Sequence, residues 1–131
     1  MLCLTACRHK NTYNFLNSTD TIVAVAIVNL SFDEKGALVE TEVKQVNDII
    51  SFLNAFCALD CYTYFGDPIP ATPEGEENTV IKILYANGEY ELINWKGQTK
   101  NLAERGLNYY AGYRVFDEAQ FKTLIDNLLA S

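Results

Sequence analysis

The chain has 131 residues, of which 49% are hydrophobic and 21% charged, and its formal net charge is −7. This length and composition predict one globular domain that buries enough surface to fold without disulfides or metals. Clustered Lys and Arg bind phosphates and anionic headgroups, so the acidic balance argues against nucleic acid as a partner and against direct adsorption to a membrane. No apolar run in the sequence reaches the roughly 20 residues that span a bilayer.

The N-terminus carries a pattern for lipid attachment. An apolar residue, two small residues and a cysteine follow one another at Leu4, Thr5, Ala6 and Cys7, as in the lipobox of bacterial lipoproteins. The preceding residues are apolar but uncharged, and are fewer than the roughly 7–15 apolar residues of a complete export signal. We therefore interpret residues 1–20 as a signal remnant, lipobox and tether, with Cys7 as the lipid attachment site. The alternative is a disordered N-terminus with an accidental match.

The first half of the domain, 21–131, begins with a predicted hairpin and a helix. Residues 21–32 are rich in Ile, Val and Ala, residues 33–36 form a turn that ends at Gly36, and residues 38–46 alternate between apolar and polar. These features predict two paired strands. Asn47 is the expected cap of a helix that ends near residue 59. Its apolar stripe comprises Ile49, Ile50, Leu53, Phe56 and Cys57.

The second half is predicted to contain four strands and a final helix. A short strand at 61–65 precedes a proline-rich acidic loop at 66–78, and two strands at 79–85 and 89–95 flank the hairpin signal Asn87-Gly88. Residues 96–106 are loop-like and residues 107–116 strand-like. Asp117 and Gln120 form a capping-box pattern for the last helix, with Phe116 and Phe121 placed as a hydrophobic staple. The apolar stripe of that helix comprises Phe121, Leu124, Ile125 and Leu128.

The element order ββα-ββββ-α predicts an α+β fold. We expect a mainly antiparallel sheet of about five to six strands, because hairpins dominate, with two helices packed on one face. The other face is then expected to be wet and available for binding.

Catalysis, metals and cofactors are not expected. The only histidine, His9, lies in the tether, so neither a Ser-His-acid arrangement nor a His-containing metal site can be built in the domain. We interpret Glu89 and Glu91 as solvated charge. Cys57 and Cys61 are close enough in sequence for a disulfide in an oxidising compartment, and the alternative is two free, buried thiols.

An aromatic cluster is the main candidate for binding. Its candidate residues are Trp95, Arg105, Tyr109, Tyr110 and Tyr113. Tyr, Trp and Arg anchor protein interfaces, and flat aromatic rings also stack on sugars, so the expected ligand is a protein or a carbohydrate. The alternative is that these rings serve core packing. Asp67 is added because loops as long as 66–78 are often functional.

The chain resembles small, uncharacterised α+β lipoproteins on the surface of Gram-positive bacteria. The resemblance rests on Leu4–Cys7, on the hairpin Tyr85-Ala86-Asn87-Gly88-Glu89-Tyr90 and on the helix start Phe116-Asp117-Glu118-Ala119-Gln120-Phe121. It implies a location and a shape but no activity. Our first hypothesis is a non-catalytic, extracytoplasmic binding module that contacts the membrane only through a lipid on Cys7. The alternative is a cytoplasmic acidic immunity- or inhibitor-like protein that caps a basic partner.

Overall fold

A computed structural model describes residues 13–63, 79–95, 97–99 and 114–131. Within them the strands are Ile22–Phe32 (β1), Leu38–Gln45 (β2), Cys61–Thr63 (β3), Thr79–Tyr85 (β4), Tyr90–Asn94 (β5), Gly97–Thr99 (β6) and Arg114–Phe116 (β7), and the helices are Ile49–Cys57 (α1) and Glu118–Ala130 (α2). The α+β prediction is confirmed. Strand β6 lies in a stretch that we predicted as a loop; its three residues pair with β5 despite their polar sequence.

The main sheet is antiparallel and has five strands in the order β2-β1-β4-β5-β6. Strands β3 and β7 pair with each other in a separate two-stranded sheet, with Cys61 opposite Phe116. The predicted β1–β2 hairpin is present. Its turn is closed by the Asp33 side chain, which accepts hydrogen bonds from the backbone N–H groups of Lys35 and Ala37, both at 2.8 Å.

Both helices cover one face of the main sheet. The core between them takes Val25, Ile27, Ile81, Ile83 and Ile93 from the sheet, and Phe52, Phe56, Phe121, Leu124 and Ile125 from the helices. We refer to this side as the helix face. No helix in the described ranges is long and apolar enough to cross a membrane.

The start of α1 differs from the prediction by one residue. Asp48, rather than Asn47, is the N-cap, and its carboxylate accepts the backbone N–H of Ser51 at 3.0 Å. Phe52 and Phe56, four residues apart, set the buried face of the helix. This orientation leaves Ile50, which we placed in the apolar stripe, 74% exposed, and Cys57 is exposed as well.

Helix α2 begins as predicted, at the Asp117 cap, whose carboxylate accepts the N–H of Gln120 at 2.9 Å. The staple is present, with the rings of Phe116 and Phe121 5.4 Å apart. Gln120 does not complete the capping box on Asp117. Its side chain instead bonds to Asp60, accepting the backbone N–H at 2.8 Å and donating to the carboxylate at 2.9 Å. This exchange ties the start of α2 to the loop that follows α1.

The second face of the sheet is only partly wet. Five apolar side chains there are buried: Ala26, Val28, Leu30, Val80 and Leu92. Near them Lys82 forms a 2.8 Å ion pair with Glu40 and lies 4.4 Å from the ring centre of Tyr90, which is 42% exposed. In the described part of the sheet, the expected wet face therefore combines buried apolar positions with exposed polar ones.

Candidate functional site

Trp95 is the one predicted binding residue that the structure describes. Cys7, Asp67, Arg105, Tyr109, Tyr110 and Tyr113 lie outside the described residues. Trp95 directly follows β5, is half-buried and packs against the main core. Its carbonyl accepts the backbone N–H of Phe116 at 2.8 Å, which joins the end of the main sheet to β7. The indole is therefore held where the sheet meets the start of α2.

A cleft of about 210 Å³ lies beside Trp95 and runs along α2. Its apolar side is formed by Trp95, Phe121, Ile125 and Leu129, and its polar rim by Thr79, Lys122 and Asp126. Lys122 also pairs with Glu118 at 3.2 Å, one helical turn earlier. The cleft is smaller than the about 300–1,000 Å³ of typical small-molecule sites. It suits a single apolar side chain of a partner better than a larger ligand.

Glu91 is a buried carboxylate, which corrects our interpretation of it as solvated charge. It is 0% exposed and lies on the helix face, opposite Ile83 in the β4–β5 pair. The hydroxyl of Tyr13 donates to Oε1, and the hydroxyl of Tyr85 donates to Oε2. The backbone N–H of Leu16 also donates to Oε2, at 2.8 Å. Glu89, by contrast, is exposed and accepts hydrogen bonds from the side chains of Asn17 and Asn87.

The two tyrosines that bond to Glu91 hold their protons tightly. Burial, followed by the charge of Glu91, raises the pKa of Tyr13 well above its ordinary value. Burial and the hydrogen bond to Glu91 likewise raise the pKa of Tyr85. Both hydroxyls therefore stay protonated and remain donors, and the cluster of Glu91, Tyr13 and Tyr85 is enclosed. It is suited to holding the N-terminal segment on the sheet.

The N-terminal segment is part of the packed domain from Tyr13 on. We predicted residues 1–20 as tether, but Tyr13 is buried and Phe15 and Leu16 pack against the main core. Tyr13 lies edge-on to Phe56 at 5.3 Å and to Phe15 at 5.0 Å. The sequence around Tyr13 is polar and aperiodic, so it gave no indication that this segment packs against the core. Its acceptor lies 78 residues further along the chain, so no local pattern indicates the contact.

The two cysteines of the domain were expected to form a disulfide or to be two buried thiols, and the structure agrees in part with the second expectation. Cys57 and Cys61 do not form a disulfide, and of the two only Cys61 is buried. The Cys57 thiol is nevertheless partly shielded from water by its neighbours, and this desolvation raises its pKa. Among the residues that the structure describes, no group of three or more His, Cys, Asp or Glu is arranged to hold a metal ion.

Comparisons of the chain with models of known protein families, with curated proteins and with solved structures found no match.

Proposed function

We propose that the chain is a non-catalytic binding module, held at the extracytoplasmic face of the cell membrane by a lipid on Cys7. The cleft beside Trp95 is the observation that carries the binding part of this proposal. It combines an apolar wall, a charged rim and room for one side chain. The lipobox pattern at residues 4–7 supports the location.

The shape and chemistry of the cleft favour a protein partner over a carbohydrate. Sugar stacking needs an open aromatic face, whereas Trp95 is half-buried and packed against the core. A single aliphatic or aromatic anchor in such a cleft can contribute about 2 kcal/mol or more to binding. Lys122 and Asp126 on the rim would orient polar groups that flank this anchor.

Site-specific photocrosslinking in cells that produce the full chain tests the binding site. A photoreactive residue replaces Asp126 on the rim, and a control replaces Thr41, which is exposed on β2. Cleft binding predicts a discrete adduct from position 126 alone. Leu129→Glu should remove this adduct, because it places a charge on the apolar wall at a residue that is already 41% exposed. The matched change Val39→Glu, at a residue 38% exposed, should keep it. If Leu129→Glu leaves the adduct unchanged, the cleft is not the binding site.

Cell fractionation tests the location. The unaltered chain should be found with membranes, and Cys7→Ala should release it at full length. Membrane association that survives Cys7→Ala contradicts the lipid anchor. A chain that stays in the cytoplasm and forms adducts with a basic protein would support the alternative, an immunity- or inhibitor-like role.

A further inference from the structure

The exposed face of α1 is uncharged although the chain is strongly acidic. Residues 49–59 contain no Asp, Glu, Lys or Arg. Ile50 is the most exposed apolar side chain among the large ones described, and the other exposed residues of this stretch are Ser51, Asn54, Ala55, Cys57 and Ala58. A shallow depression continues this surface onto α2, where Ala119, Gln120 and Thr123 complete it without charge. The charged groups that border this surface are Asp48, the exposed cap at the N-terminal end of α1, and Asp60, which bonds to Gln120. Between them the surface approaches a lipid layer at low cost, because residues 49–59 bring no charged group out of water.

The N-terminal segment meets the domain beside this same helix. The Tyr13 ring contacts Phe56 of α1, and the hydroxyl of Tyr13 is bonded to Glu91, so the position of residue 13 is fixed. Phe15 also lies against Phe56, with 5.6 Å between ring centres. A helix of this length extends about 13 Å. The whole exposed face of α1 is therefore close to the point where the segment joins the core.

The distance from Cys7 to Tyr13 limits how a lipid-anchored domain can turn. Cys7 lies six residues before Tyr13, and an extended chain covers at most about 3.6 Å per residue, or about 22 Å in all. A domain of this length has a radius of gyration of about 14 Å and is roughly 35 Å across. The tether is shorter than the domain is wide, so a lipid on Cys7 keeps the side near Tyr13 close to the bilayer. This side includes α1 and, through the contact of Tyr13 with Phe116, the start of α2.

We propose that the exposed face of α1 lies against the lipid headgroups when Cys7 carries its lipid. The inference rests on the proposed lipid anchor and adds the orientation of the domain to it. Charge favours this face over others, because Asp48 lies at one end of it, whereas the acids Glu34, Glu42 and Glu89 are exposed elsewhere on the domain and are repelled by anionic lipids.

Fluorescence quenching by brominated lipids tests the orientation on the full chain. Cys3→Ser and Cys57→Ser leave Cys7 as the reactive thiol, since Cys61 is buried. Cys7 is coupled to a maleimide phospholipid in vesicles of phosphatidylcholine with phosphatidylglycerol as the minor component. Trp95→Phe removes the native tryptophan fluorescence. If this change impairs folding, Trp95 is retained and its fluorescence, measured in parallel samples without a second tryptophan, is subtracted.

Two positions report on opposite sides of the sheet. Ile50→Trp places the reporter on α1, and Tyr90→Trp places a matched aromatic reporter on the second face. We expect brominated lipid to remove most of the fluorescence of Ile50→Trp and little of that of Tyr90→Trp. Equal quenching, or stronger quenching of Tyr90→Trp, overturns the orientation. In this experiment the lipid is attached chemically, so a negative result contradicts only the orientation. The lipid anchor itself is tested separately in cells, where membrane retention of Cys7→Ala would contradict it.

Discussion

Replacing Glu91 with alanine removes the acceptor of three hydrogen bonds inside the core. The hydroxyls of Tyr13 and Tyr85 and the N–H of Leu16 all lose their partner. An orphaned buried donor costs about 1–3 kcal/mol, so three cost about 3–9 kcal/mol. The Leu16 N–H is only partly buried and can bond to water instead, so the two tyrosine hydroxyls account for an expected loss of about 2–6 kcal/mol. This is a large part of the about 5–15 kcal/mol that stabilises a typical domain.

Urea unfolding followed by circular dichroism measures the loss, with Glu89→Ala as the control two residues away. Glu89 is exposed, so its replacement should change the free energy of unfolding by about 0.5 kcal/mol or less. Glu91→Gln keeps one acceptor oxygen and gives a folded variant with a loss of about 1–2 kcal/mol if Glu91→Ala does not fold. Similar small losses for Glu91→Ala and Glu89→Ala would refute the buried cluster and restore the interpretation of Glu91 as solvated charge.

Three further predictions concern pH, the turn and the thiols. The pKa values of Tyr13 and Tyr85 are raised in the folded protein, so above about pH 10 the unfolded tyrosines lose protons that the folded ones keep. The free energy of unfolding should therefore be constant below about pH 10 with respect to these groups and decline above it. Tyr85→Phe should flatten this decline in urea titrations at alkaline pH, and an unchanged slope would contradict the prediction. Gly88→Ala should lower the free energy of unfolding by about 1–2 kcal/mol, as measured by thermal unfolding, because φ is +90° at this position. The added Cβ meets no atom within 4 Å, so the cost comes from the backbone alone. A neutral effect would contradict the described turn. Iodoacetamide should modify Cys57 in the native protein and Cys61 only after denaturation, as mapped by peptide mass; the reverse order would exclude the described packing.

The elements of the fold could be predicted because their signals are local. The Ile and Val of β1 indicate a buried strand wherever they pack, and Asp117 can cap α2 without help from the rest of the chain. The staple between Phe116 and Phe121 likewise depends on residues five apart. These signals predicted the α+β class and the start of α2. The cap of α1 was misplaced by one residue because Asn47 and Asp48 are both good capping residues.

The location of Glu91 depended on the register of one turn. Asn87-Gly88 commonly forms a two-residue loop, which would pair Ala86 with Glu89 and turn Glu91 away from the core. In the structure Tyr85 is opposite Glu89, three residues form the turn, and Gly88 takes a positive φ. A shift of one residue moves every side chain of a strand to the other face. Glu91 and Ile93 therefore enter the helix face.

By itself, the sequence determined which segments form strands and helices, because hydrophobic periodicity and capping act over a few residues. The tertiary structure decided what those segments do with their polar groups. Tyr13 lies in a polar segment without periodicity, yet it is buried because Glu91, far along the chain, offers a carboxylate on the helix face. A buried charge needs donors from any part of the chain that can reach it, and only the folded arrangement of β4, β5 and the N-terminal segment brings those donors together.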